Sequence, residues 1–86
     1  MNTTPQEISN LVAKVTKDVT YQALAKELAI PELGIKYTHG TIANLRSGLQ
    51  KVNLRRWRQI VLHGKTERAR EFARQVIRAE GFEVIE

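Results

Sequence analysis

The stretch Thr38-His39-Gly40-Thr41-Ile42-Ala43-Asn44-Leu45-Arg46-Ser47-Gly48 decides how this 86-residue chain is read. Ile42, Leu45 and the following Leu49 step by three and four, the spacing that gathers side chains on one face of a helix. The other positions are small or polar, so such a helix hides one side and offers the other. It begins near Thr38 or His39. Gly48 is costly in a helix interior, so the end falls between Ser47 and Gln50.

Toward the N-terminus, Ile8, Leu11, Val12 and Val15 recur at helical spacing after Thr4-Pro5, which predicts a helix from about Pro5 to Val15. Thr20 can cap a second helix with Tyr21, Leu24, Ala25 and Leu28 on one face, stopped by Pro31. Residues 30–37, with Pro31 and Gly34, read as a loop or single loose turn, longer than a tight helix-to-helix turn requires. Toward the C-terminus, Asn53 can cap a helix that turns Leu54, Trp57, Ile60 and Val61 inward and Arg55, Arg56 and Arg58 outward, with Gly64 ending it. Residues 65–80 carry Ala69, Phe72, Ala73, Val76 and Ile77 as an apolar stripe, flanked by alternating Glu and Arg whose spacing predicts a salt-bridged wet face. After Gly81, Phe82-Glu83-Val84-Ile85 alternates in part and is β-prone, which permits a short terminal strand given a partner. The expected fold is therefore all-α, a single domain over 1–86 built as a compact bundle of about five short helices.

Charge placement narrows the function. From Leu33 to Thr66 the chain holds seven basic residues and no Asp or Glu, within a net charge of +5. A run of that kind invites a polyanion. Cysteine is absent, which removes disulfides, thiolate metal sites and Cys nucleophiles, and two histidines alone make a poor metal set. Neither a phosphate-binding glycine loop nor an acid/base or nucleophile pair is visible, so neither an enzyme, a cofactor nor a small-molecule ligand is expected. The first residues lack a signal-peptide pattern and no apolar run approaches membrane-spanning length, so a cytoplasmic protein with no membrane partner is expected.

Gln22-Ala23-Leu24-Ala25-Lys26-Glu27-Leu28-Ala29, followed by Thr41-Ile42-Ala43-Asn44-Leu45-Arg46-Ser47-Gly48 and then Asn53-Leu54-Arg55-Arg56-Trp57-Arg58-Gln59-Ile60, resembles the lambda-repressor-like, or Cro-like, helix-turn-helix family over roughly Pro5 to Gly64. The connection between Ala29 and Thr38 is several residues longer than that family's usual turn. The resemblance implies double-stranded DNA as partner and a transcriptional regulator of the phage-repressor type, acting at the nucleoid. It implies base contacts from Thr38, His39, Thr41, Asn44 and Ser47, with Gly40 and Ala43 allowing close approach to the groove. Asn44 stands out because a side-chain amide can pair bidentately with adenine. Lys36, Arg46, Lys51, Arg55 and Arg56 are the corresponding phosphate contacts. A homodimer is expected, with residues 65–86 as its dimerisation helix and tail.

Blander roles compete for several of these residues. Asn44 on a helix surface is often only solvated, and Trp57, spaced with Leu54 and Val61, belongs in a core before it belongs on a base. His63 beside a helix end suits the helix dipole. RNA is the weaker nucleic acid because the aromatics are mostly claimed by the core, Tyr37 being the exception. The competing function is a protein-interaction module, an adaptor or antitoxin-like partner that uses the C-terminal helix and tail without reading bases. It has no need of cations concentrated around the third and fourth helices.

Overall fold

The computed structural model describes residues 4–48 and 53–84. Five α-helices are found among them: α1 (Thr4–Val15), α2 (Tyr21–Leu28), α3 (His39–Ser47), α4 (Leu54–His63) and α5 (Glu67–Ala79), with one 3₁₀ turn at Pro31–Leu33. The expected Leu49, Lys51 and Ile85 roles fall outside the described residues. Polar caps start α2 to α5. Oxygens of Thr20, Asn53 and Thr66 accept from the backbone N–H three residues on, at 3.0, 3.2 and 3.0 Å. Thr38 does the same for Thr41 and receives its reciprocal bond, a capping box. Caps of this kind fix where each helix begins to within one or two residues of the apolar pattern.

One apolar cluster unites the bundle. Val12, Leu24, Leu28, Ile42, Leu45, Trp57, Ile60, Phe72, Val76 and Ile77 are almost wholly withdrawn from solvent. α3 lies on α1 and α2, α4 lies on α5, and α5 also touches α1 and α2, so the last helix is the beam to which both halves attach. Trp57 sits between Tyr37 and Phe72, with ring centroids 5.6 and 5.8 Å away. It is a core residue, as its spacing predicts.

The connection from α2 to α3 is not a loose loop. Ile30 and Ile35 face one another as an antiparallel bridge, with N–H to carbonyl distances of 2.9 and 3.0 Å in the two directions, and both side chains are buried. Pro31 opens the intervening 3₁₀ turn and Gly34 closes it at φ 73°, a conformation that disfavours a side chain. The extra residues are thereby looped out at a pinched neck.

A further sequence expectation needs correction. Among the described residues the tail forms no strand. Gly81 adopts φ 88° and donates to Arg78 O, while Phe82 N–H donates to Ile77 O, so both satisfy the last carbonyls of α5 instead of entering a ladder. Gly64 ends α4, as its place in the sequence predicts, at φ −57°. Its role is close approach, since a Cβ there would lie 2.7 Å from Ile60 O and 2.9 Å from Arg70 Cγ.

Candidate nucleic-acid interface

With Ile42 and Leu45 turned into the core, the outward stripe of α3 consists of Gly40, Asn44 and Ser47, at steps of four and three, with Ala43 beside it. Asn44 and Ser47 are exposed, and so is His39 at the start of the helix. The stripe carries no bulky side chain, so another surface can approach the α3 backbone closely. Thr38 and Thr41 behave differently. Their hydroxyls lie 3.3 Å apart and close the capping box, and Thr41 is half-buried. Of the five expected base readers, His39, Asn44 and Ser47 are therefore the ones whose side chains are not engaged in building the helix.

The cations occur at both ends of α3. Tyr37 precedes the Thr38 cap, and the Arg56 guanidinium stands 5.9 Å from the Tyr37 ring centroid, a cation–π contact that joins the first turn of α4 to the start of α3. Burial pushes the Tyr37 hydroxyl up to about 12 although the guanidinium works in the opposite direction, so this phenol remains protonated at physiological pH. Arg55 and Lys36 are exposed, and neither has an ion-pair partner among the described residues. The first turn of α4 contains no acid, so the positive end of its dipole adds to these charges instead of being neutralised. Leu33, Gly34, Ile35 and Asn53 complete a hollow of about 300 Å³ beside Arg55 and Arg56.

At the other end of α3, the Arg46 guanidinium donates through Nη1 to Ser9 Oγ at 2.8 Å, and the Ser9 hydroxyl donates in turn to the Arg46 carbonyl oxygen. Gln6, Ser9, Arg46, Ser47 and Gly48 line a small polar hollow there. Ser9 was not apparent as a site residue from the sequence. Its signal is weak but present: it stands three positions before the buried Val12, on a face that should be apolar. Arg46 is thus held by α1 at one nitrogen while its side chain remains exposed.

The arginines of α5 are already matched. Glu67 pairs with Arg70 and Arg74, and Glu71 pairs with Arg74 and lies 4.0 Å from Arg78, as the spacing along α5 predicts. Arg68 departs from that pattern. It crosses to α2, where Nε donates to Glu27 Oε1 at 2.9 Å and Nη2 to the other oxygen, and Thr66 Oγ1 also donates to this carboxylate at 3.1 Å. The Arg68 hydrogen bonds, helped by Thr66, hold the Glu27 carboxyl below its ordinary range. Tyr37, expected as the one aromatic free to stack on a base, is half-buried between Trp57 and Arg56 instead. Among the described residues no cluster of three or more His, Cys, Asp or Glu could hold a metal ion, and no helix is long and apolar enough to cross a membrane.

No family model, curated protein or solved structure matches the chain.

Proposed function

We propose that this chain binds duplex DNA sequence-specifically, as a helix-turn-helix transcriptional regulator of the lambda-repressor-like kind. The observation that carries the reading is the Arg56 guanidinium above the Tyr37 ring, because it brings an unneutralised basic helix start beside the start of a helix with a small, polar outward stripe. In this reading α3 enters the major groove. Asn44 and Ser47 read base edges from its outward stripe, His39 does so from its first turn, and Gly40 and Ala43 let the backbone come near. Thr38 and Thr41 orient that helix first and contact DNA only through lone pairs left over from the capping box. Lys36, Arg55 and Arg56 hold phosphates on one side and Arg46 on the other, so that α3 is clamped at both ends. Lys51, in the same acid-free segment, joins them by sequence.

One such module buries little DNA, and a two-fold dimer reading two half-sites gives the missing specificity. The apolar stripe of α5 is closed within the chain's own core and its outer face is ion-paired, which leaves Phe82, 49% exposed, as the apolar side chain available for self-association at this end. Regulation would be steric, a bound dimer blocking or recruiting polymerase at the nucleoid.

Selection from random duplex DNA tests the reading. Enrichment of a palindromic motif with half-sites about one helical turn apart is the expected result. Recovery of unenriched DNA, or of no DNA, would overturn it.

A further inference from the structure

A second surface lies where α1 packs on α5. Glu7, Asn10, Leu11 and Lys14 of α1, with Arg78 and Ala79 of α5, line one open hollow of about 400 Å³. Leu11 and Ala79 are half-buried against the core and give the hollow an apolar floor, while Glu7, Asn10, Lys14 and Arg78 are exposed. None of these residues is among those assigned to DNA. Glu7 and Lys14 stand seven positions apart, about two helical turns, so opposite charges mark the two ends of one stripe about 10 Å long. Asn10 and Leu11 fall at its middle. Arg78 stands on the other wall, 4.0 Å from Glu71, so its charge is already partly answered within the chain.

The order of charges along α1 selects what can lie on it. A polyanion would meet Glu7, and a segment of either single sign would be repelled at one end of the stripe. A covering helix must carry a cation where it passes Glu7, an anion where it passes Lys14 and an apolar side chain between them. A second α1 running antiparallel meets all three conditions. A two-fold axis through Asn10 and Leu11 sets Glu7 against the partner's Lys14 and Lys14 against the partner's Glu7. Side chains on the axis meet themselves, which Asn10 can do without repulsion because its amide is both donor and acceptor. We infer that two copies of this chain associate through the α1 stripe and the hollow beside it, with Leu11 packing on its symmetry mate and each Glu7 facing a Lys14. This gives the proposed dimer its surface, and it rests on the DNA reading only for the dimer's use, since the charges act with or without DNA.

Sedimentation at several protein concentrations, without DNA, tests the contact. The parent should associate reversibly, and less at high salt. Glu7→Lys and Lys14→Glu each set like charges together at both ends of the stripe, and each should weaken self-association about tenfold. The double variant reverses every pair and should associate like the parent. Mixing the two single variants, one carrying a fluorophore, should yield heterodimers, because one copy then offers two cations where the other offers two anions. That recovery separates docking from misfolding, since both substitutions are still present. A parent that is monomeric at every concentration overturns the inference, and so does a double variant or a mixture that fails to recover association. Self-association lost in Phe82→Ser but indifferent to both single charge reversals would place the contact at the tail and overturn it too. Failure here leaves the selection of a DNA motif untouched, and failure of that selection leaves these outcomes standing.

Discussion

Replacing Arg55 and Arg56 together with Gln tests the clamp at the start of α3. Both keep a polar head after substitution, and neither contributes to the buried stripe of Trp57, Ile60 and Val61. Arg55 is exposed and unpaired among the described residues, so its loss changes stability by at most about 0.5 kcal/mol. Arg56 gives up its contact with the Tyr37 ring, about 0.5 to 1 kcal/mol. The double variant should therefore fold and melt about 4 to 8 °C lower. Its effect on DNA is larger and has a distinct signature. Each phosphate neutralised adds about 0.9 to the slope of log affinity against log salt, so losing two contacts flattens the slope by about 1.8. Between roughly 50 and 200 mM salt the variant should then lose about tenfold less affinity than the parent. Fluorescence titrations at four salt concentrations measure this, with random and selected duplexes equally affected because phosphates carry no sequence. An unchanged slope in a folded variant would refute the clamp.

Other perturbations reach different parts of the molecule. Asn44→Ala should lose about 1 to 3 kcal/mol on the selected site and almost nothing on random duplex, whereas equal losses would remove Asn44 from base reading. Glu27→Gln should destabilise the fold at neutral pH. Because the Glu27 carboxyl is held below its ordinary range, its contribution is full above that range and disappears as pH falls through the lowered folded value, so parent and variant melting curves should converge in acid. A stability gap that persists undiminished at low pH would mean the carboxylate charge is irrelevant there. Phe82→Ser keeps the backbone turn that ends α5 and should shift sedimentation toward monomer. A parent protein that is monomeric at every concentration would dispose of the dimer.

The helices were legible because their information is local. Steps of three and four at Tyr21, Leu24 and Leu28 or at Ala69, Phe72 and Val76 declare a buried face, and Thr20 and Asn53 stand where caps must stand. The acid-free run was equally plain. What sequence reading missed is long-range pairing. Nothing near Arg68 announces Glu27, forty-one residues earlier, when Glu67 and Glu71 offer partners nearby. Ser9 and Arg46 meet across thirty-seven residues for the same reason. Tyr37 was legible as an aromatic but not as the contact between Arg56 and Trp57. The tail was misread because alternation in Phe82 to Val84 is a weak preference, overruled once Gly81 turned the backbone to finish α5.

The Ile30–Ile35 bridge changes how the α2–α3 connection should be thought of. Its mutual hydrogen bonds and buried side chains fix the entry to Ile30 and the exit from Ile35, so the spatial relation between the two helices depends on the neck and hardly at all on what hangs from it. Pro31 to Gly34 is an appendage in the mechanical sense, in which Gly34 alone is held to its residue type by the turn itself. The same segment bears Leu33. A chain organised this way can remodel what it presents beside α4 while the aim of α3 remains constant.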